Sequence, residues 1–133
     1  MKALLIIALF AAVASAIYTP RFTEKLYNPD FSVSNVVSYT KAIAGQNNII
    51  NVCGVAQNDF SVSQYTWTIP QNGGKTQGIV TVPPSNIYSE TKYCYFFNFQ
   101  VPTNAYGSFN VTLTLQNTNP ARNLSSIDVQ LFF

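Results

Sequence analysis

The strict alternation of apolar and polar residues near the carboxyl end constrains the fold of this chain more than any other feature. Over Phe109–Gln116 every odd-numbered residue is apolar and every even-numbered residue is polar. Residues 126–131 repeat this alternation, with Ile127, Val129 and Leu131 on the apolar side. A period of two is typical of a strand with one buried face, and it excludes an amphipathic helix in these segments.

Shorter segments of the same kind fill the chain after residue 16, and no helical period interrupts them. Seven strands are predicted in total: Phe31–Tyr39, Asn48–Val55, Phe60–Ile69, Gly78–Val82, Lys92–Val101, Phe109–Gln116 and Ser126–Phe133. Turns rich in Asn, Gly, Pro and Ser separate them. The number and spacing of the strands predict an all-β fold, a two-sheet antiparallel immunoglobulin-like sandwich.

Four local expectations accompany these strands. Tyr18–Asp30 contains two prolines and is expected to be irregular. Gln71–Lys75 contains Asn-Gly and predicts a hairpin turn, because that pair tolerates positive φ. Pro83-Pro84 is expected to end the fourth strand. In the first strand, Val33 and Val37 are expected to face inward.

The first sixteen residues have the features of a secretory signal peptide. Lys2 gives a positive start, Leu4–Val13 is apolar, and Ala14-Ser15-Ala16 supplies small residues for cleavage. The alternative is a retained membrane anchor, but the apolar run is shorter than the ~20 residues that a spanning helix needs. We therefore expect a signal peptide at 1–16 and a single domain at 17–133, in a protein that is secreted or delivered to the endolysosomal lumen.

Composition limits the chemistry of the mature chain. The sequence has no histidine and is 9% charged, so Ser-His-Asp and Cys-His catalysis and histidine metal ligands are excluded. The mature chain has six basic and five acidic residues, which is too even a balance for an electrostatic nucleic-acid binder. The acidic residues are scattered, so we expect no enzyme activity, no metal and no cofactor.

Two tripeptides fit the N-glycosylation acceptor pattern, and both agree with export. They begin at Asn110 and Asn123. The first asparagine lies on the polar side of its strand, where a glycan has room. We expect glycosylation of at least one of the two, and chance occurrence is the alternative.

The two cysteines, Cys53 and Cys94, admit one intramolecular disulfide in an exported chain. The alternative is that both are small core residues that never meet. Together with Trp67 they resemble the immunoglobulin pattern, in which tryptophan packs on a bridge between the sheets. However, Tyr93 directly precedes the second cysteine, whereas the immunoglobulin tyrosine stands two positions before it. A true immunoglobulin domain is therefore the weaker interpretation.

The order of several short motifs resembles the ML lipid-recognition domain family. This family includes the Niemann–Pick type C cholesterol carrier and the phosphatidylglycerol/phosphatidylinositol transfer proteins. The similar segments are Phe31–Tyr39, Ala44–Asn47, Cys53-Gly54, Gly73–Lys75, Tyr93–Pro102 and Tyr106–Leu115. The resemblance extends over residues 31–133. Family members usually have six cysteines, whereas this chain has two.

The resemblance implies a secreted lipid-binding protein that transfers phospholipid (phosphatidylglycerol or phosphatidylinositol) or sterol between membranes. Its lipid would lie in an apolar cavity between the sheets, and its partners would be lipid and, transiently, a membrane, with the protein a monomer. The implied cavity residues are Trp67, Tyr93, Tyr95, Phe97, Phe99, Phe109, Val111, Leu113, Val129 and Leu131.

Two alternatives remain open at this point. The same aromatic residues also fit a close-packed core without a void. The same sandwich also fits an extracellular carbohydrate-binding or adhesion module, in which exposed aromatic rings stack on sugars. The candidate stacking residues are Tyr88, Phe96, Tyr106 and Phe132.

Overall fold

The computed structural model describes residues 18–39, 41–71 and 74–132, and within them the regular elements are all strands. The eight strands are β1 (Phe22–Glu24), β2 (Phe31–Ser38), β3 (Asn47–Ala56), β4 (Phe60–Gln71), β5 (Gly74–Ile87), β6 (Lys92–Gln100), β7 (Ser108–Thr118) and β8 (Ala121–Phe132). The predicted signal peptide at 1–16 and Phe133 lie outside the described residues. In the part of the chain that is described, no helical segment has the length and apolar character of a membrane span.

The strands form two antiparallel sheets that pack face to face. One sheet has five strands in the order β1-β8-β7-β4-β5, and the other has three in the order β2-β3-β6. Every strand pair within them is antiparallel. The structure therefore confirms the all-β two-sheet sandwich that the period of two predicts.

Alternation determines which side chains lie between the sheets. In β3 the inward residues Ile50 and Val52 are fully buried, and Asn51, the outward residue between them, is more exposed. In β7 and β8 the apolar members of the alternating pattern are buried in the same way. The buried residues of these two strands are Val111, Leu113, Leu115, Leu124, Ile127, Val129 and Leu131.

Three local expectations were wrong. Tyr18–Asp30 is not wholly irregular, because Phe22–Glu24 pairs with β8 as an edge strand. Pro83-Pro84 does not end the strand, because β5 is also an edge strand and tolerates residues without an N–H group there. In β2, the register shift between Val33 and Asn35 turns Val36 inward in place of Val37.

The β4–β5 hairpin is where the Asn-Gly signal predicts it. Gln71 pairs with Gly74 at the end of the ladder, so two residues connect the strands. Those two residues, Asn72 and Gly73, lie outside the described part of the chain. The hairpin brings β5 to the edge of the five-stranded sheet, and the edge strand β6 of the other sheet packs against its neighbour β4.

Cys53 and Cys94 form a disulfide, which resolves the alternatives that the sequence left open. They are directly opposite each other in β3 and β6, with their Cα atoms 4.1 Å apart. The bond therefore joins neighbouring strands of one sheet, on the outer face of that sheet. In the immunoglobulin pattern the bridge crosses between the sheets and the tryptophan packs on it. Here the bridge stays within one sheet and Trp67 belongs to the other, so this pattern is absent although the sandwich architecture is present.

A partly buried ion pair joins the two sheets at one end of the sandwich. Arg122 at the start of β8 donates from Nε and Nη2 to the two carboxylate oxygens of Asp30, at 2.6 and 3.0 Å. Asn58 donates a further hydrogen bond of 3.0 Å to the same carboxylate. Asp30 is buried and Arg122 is exposed, so the carboxylate depends on these donors for its solvation.

Candidate functional site

The inner face of β6 is the most aromatic surface in the interior. Tyr93, Tyr95, Phe97 and Phe99 occupy successive inward positions of this strand. Tyr95, Phe97 and Phe99 are 0–2% exposed, whereas Tyr93 at the beginning of the strand is half-buried. β6 lies at the edge of its sheet, and the rest of the row is covered by the facing sheet.

Rings from β4 pack against the aromatic row across the gap between the sheets. Tyr65 stacks on Tyr95 with ring centroids 5.1 Å apart, and it is 5.5 Å from the ring of Phe97. Trp67 packs on Phe99 at 6.0 Å. These distances are those of aromatic pairs in direct contact. Rings therefore fill the space between β4 and β6, and a ligand would enter there only if they move.

Trp67 occupies its position because its neighbour in β5 has no side chain. Gly78 is its cross-strand partner, and a Cβ atom on Gly78 would overlap the indole ring. The ring lies across this edge strand on the inner face. Any larger residue at position 78 would push the indole away from the strand.

A pocket opens beside Trp67 at the end of the sandwich where β6 leaves the sheet. It has a volume of about 380 Å³. Besides Trp67 its lining residues are Thr76, Gln100, Val101, Pro102, Thr103 and Asn104. Polar and apolar groups are mixed in this lining, with the indole on one side and the β6–β7 connection on the other. We call this opening the Trp67 mouth.

Two hydroxyl groups lie inside the core without a hydrogen-bond partner in the described part of the chain. They are Tyr95 Oη and Ser125 Oγ, and both residues are buried. Burial raises the pKa of Tyr95 above its usual range, and the nearby Ser125 hydroxyl offsets this rise only in part. Burial also raises the pKa of Tyr93, and the neighbouring Tyr65 hydroxyl raises it further. These phenols stay protonated at neutral pH and can donate hydrogen bonds.

The structure brings nine of the ten predicted cavity residues together between the sheets. Trp67 and Tyr93 are half-buried, and the side chain of Phe109 lies outside the described set. The remaining seven are buried in one contiguous cluster: Tyr95, Phe97, Phe99, Val111, Leu113, Val129 and Leu131. Contact of these residues with lipid stays a prediction.

The sequence did not identify several residues that shape this region. Gly78 carries no chemical signal of its own, and its importance follows only from the register that places it opposite Trp67. Ser125 is a buried serine within an otherwise alternating strand. Ser125 stands between Leu124 and Ser126, and its burial follows from the register shift between β7 and β8 at Leu115 and Gln116, which a local pattern does not show.

The two glycosylation candidates lie on the outside of the five-stranded sheet. Asn110 is exposed and pairs with Gln130. Asn123 is exposed, and its side-chain oxygen accepts a hydrogen bond of 2.7 Å from Gln116. A glycan on either asparagine would project away from the Trp67 mouth.

Four acidic side chains in the described part of the chain, those of Glu24, Asp30, Asp59 and Asp128, are engaged in structural contacts. The Glu24 carboxylate accepts a hydrogen bond of 2.7 Å from the Val33 amide, which ties β1 to β2. Asp128 accepts one from the Thr112 hydroxyl at the same distance. The residues that the structure describes contain no group of three or more Cys, Asp or Glu side chains arranged to hold a metal ion.

The fold is similar to that of a solved structure with which the chain shares few residues. The chain matches a Niemann-Pick type C2 protein from the Japanese carpenter ant with a TM-score of 0.55 and 9% sequence identity. The match covers 84% of this chain and 97% of the ant protein. No family model and no curated protein matches the sequence. At this identity the likeness shows the fold alone, and it agrees with the ML-like fold expected from the sequence motifs.

Proposed function

We propose that this chain is an exported lipid-binding protein that holds a phospholipid or sterol between its sheets and transfers it between membranes. The observation that carries the proposal is the aromatic row on the edge strand β6, which ends at Phe99 against Trp67 and the Trp67 mouth. The likeness of fold to a Niemann-Pick type C2 protein supports it. So do the motifs that resemble the ML family, whose members bind lipids.

Uptake in this scheme requires the two sheets to separate along β5 and β6. These edge strands are not hydrogen-bonded to each other, so their separation breaks no ladder. The rings of Tyr65 and Trp67 would then turn from β6 toward the lipid. Apolar burial drives the exchange, at about 0.8 kcal/mol for each CH₂ group that leaves water. The phenols of Tyr93 and Tyr95 are the protonated donors available to a polar head group.

The chemistry we propose is binding, with no bond made or broken. The carboxylates of Glu24, Asp30 and Asp128 accept structural hydrogen bonds, which supports this assignment. The disulfide supports an oxidising compartment, either outside the cell or in the endolysosomal lumen. The near-neutral mature charge fits a monomer that contacts membranes transiently and does not bind nucleic acid.

The test is transfer of a fluorescent phospholipid between vesicles by the purified mature protein, together with native mass spectrometry for bound lipid. Trp67→Ala should reduce the transfer rate, because the mouth loses its largest apolar group. Tyr88→Ala is the matched control, since Tyr88 is 65% exposed and does not line the mouth. A lipid-free protein that transfers nothing would contradict the proposal.

One observation favours a second function, carbohydrate binding. Tyr39 and Phe96 lie on the outer face of the three-stranded sheet with ring centroids 6.3 Å apart and planes inclined by 32°. They are 46% and 57% exposed, so both rings are available for stacking on a sugar. Retention of the protein on a neutral polysaccharide, lost in Phe96→Ala and kept in Trp67→Ala, would support this function instead.

A further inference from the structure

A second opening lies on the opposite side of the sandwich from the Trp67 mouth. It is a groove between the beginning of the described chain, the segment that follows β2, and the end of β8. Its volume is about 370 Å³. The groove shares no residue with the Trp67 mouth.

The walls of the groove are mostly apolar. Pro20 and Ala42 are half-buried, Leu131 is 5% exposed, and Tyr18 and Phe132 are 46% and 62% exposed at the rim. A floor of buried carbon atoms with exposed rings above it suits a hydrocarbon chain. We call this opening the Arg21 groove, after the cation on its lining.

Two cations lie on the lining, and neither forms an ion pair with any residue that the structure describes. They are Arg21 and Lys41. Two other basic residues do have acidic partners, because Lys25 pairs with Asp128 and Arg122 with Asp30. No acidic residue lines the groove. Its charge is therefore uncompensated, in a mature chain whose overall charge is close to zero.

We propose that the Arg21 groove binds a single-chain lipid phosphate, with the phosphate monoester at Arg21 and Lys41 and the chain along Leu131 and Phe132. A phosphate monoester has a charge of about −1.5 to −2 at neutral pH. It therefore complements two cations better than a carboxylate with its single negative charge. Arginine matches phosphate oxygens with a fork of parallel N–H groups, and lysine adds a point charge.

The volume of the groove fits a lipid with one hydrocarbon chain better than a lipid with two. Its volume is near the lower end of the roughly 300–1,000 Å³ found for small-molecule sites. A phospholipid with two chains needs the larger space that opening of the sheets would create. The proposal rests on the proposed function only in taking a lipid as ligand, and it requires no separation of the sheets.

The experiment measures binding of three single-chain probes, each kept below its solubility limit, to the mature protein by isothermal titration calorimetry. Lauryl phosphate, laurate and lauryl alcohol share one chain and differ in head-group charge. We expect affinity to fall in that order. The double variant with Arg21→Gln and Lys41→Gln should bind lauryl phosphate about tenfold more weakly and lauryl alcohol with unchanged affinity. Lys92→Gln, which removes an exposed cation elsewhere, should leave all three affinities unchanged.

Equal affinity for the three probes, or unchanged lauryl phosphate binding in the double variant, would overturn the proposal. Trp67→Ala separates the two sites. It should reduce vesicle transfer and leave lauryl phosphate binding intact, whereas loss of lauryl phosphate binding in Trp67→Ala would place the ligand in the mouth. Failure of vesicle transfer with intact, charge-dependent probe binding would refute the proposed function alone.

Discussion

The indole ring of Trp67 lies against the α-carbon of Gly78, its cross-strand partner on the edge strand β5. An edge glycine covered by an aromatic ring from the neighbouring strand leaves little room for any other residue at that position. This contact also fixes the orientation of the indole at the mouth of the proposed lipid site. We therefore expect both the stability and the proposed lipid uptake to depend on this contact.

Gly78→Ala should displace the indole and destabilise the protein by about 1–3 kcal/mol, the usual cost of adding a methyl group to a packed site. Trp67 is the only tryptophan of the chain, so its emission reports the displacement directly. Denaturant unfolding followed by tryptophan fluorescence measures both effects. Gln77→Ala, at the exposed neighbouring position, is the control and should change neither. An unshifted spectrum in Gly78→Ala would show that the ring does not lie against the glycine.

Removal of the disulfide by Cys53→Ala with Cys94→Ala should reduce the free energy of unfolding by about 4 kcal/mol. The bond closes a loop with a sequence separation of 41 residues, for which chain entropy predicts this value. Both cysteines face outward, so their replacement costs little packing. Chemical denaturation of the double variant, and of the reduced parent protein, measures the loss. A loss below about 1 kcal/mol would show that the unfolded chain is already restricted.

The period of two identified most of the strands and their buried faces, but it did not reveal where a strand changes phase. Val36 and Val37 are both apolar, and only the β-bulge before them determines which one is buried. A bulge depends on pairing with the neighbouring strand, which a local pattern does not contain. The same reasoning applies to β1, whose three residues form a strand because β8 offers an edge.

The candidate site was predictable in composition and not in arrangement. The aromatic row of β6 follows directly from alternation. The rings that fill the gap opposite it, and the glycine that positions Trp67, depend on the register between β4 and β5. The Arg21 groove depends on three segments that are far apart in the sequence. No spacing of Arg21, Lys41 and Phe132 along the chain indicates that they meet.

Tyr95→Phe should leave the stability at neutral pH unchanged or increase it by up to about 1 kcal/mol. Tyr95 Oη is buried and has no partner at good hydrogen-bond geometry, and the Ser125 hydroxyl beside it only partly offsets the effect of burial, so removal of the phenol hydroxyl deletes a desolvation cost and at most a weak bond. Ser125→Ala is the companion variant and should behave in the same way. Urea unfolding of both single variants and of the double variant tests this. A loss above about 1 kcal/mol in Tyr95→Phe would indicate that the hydroxyl binds an internal water molecule.

The raised pKa values of Tyr93 and Tyr95 predict a loss of stability at alkaline pH. The unfolded chain releases a phenol proton near pH 10, whereas these phenols in the folded protein keep theirs to higher pH. The contribution of these protonated phenols to the free energy of unfolding is therefore fully present below about pH 10. Above that pH it falls, by about 1.4 kcal/mol per pH unit for one such tyrosine.

Circular dichroism over an alkaline titration measures the midpoint of this transition. Tyr95→Phe should move the midpoint to higher pH. The variant lacks one phenol that ionises in the unfolded chain but stays protonated in the folded protein, so alkali favours unfolding less. Tyr88→Phe is the control, since Tyr88 is exposed and lies outside the aromatic row, and it should leave the midpoint in place. Equal midpoints for the two variants would show that ionisation of Tyr95 does not contribute to alkaline unfolding.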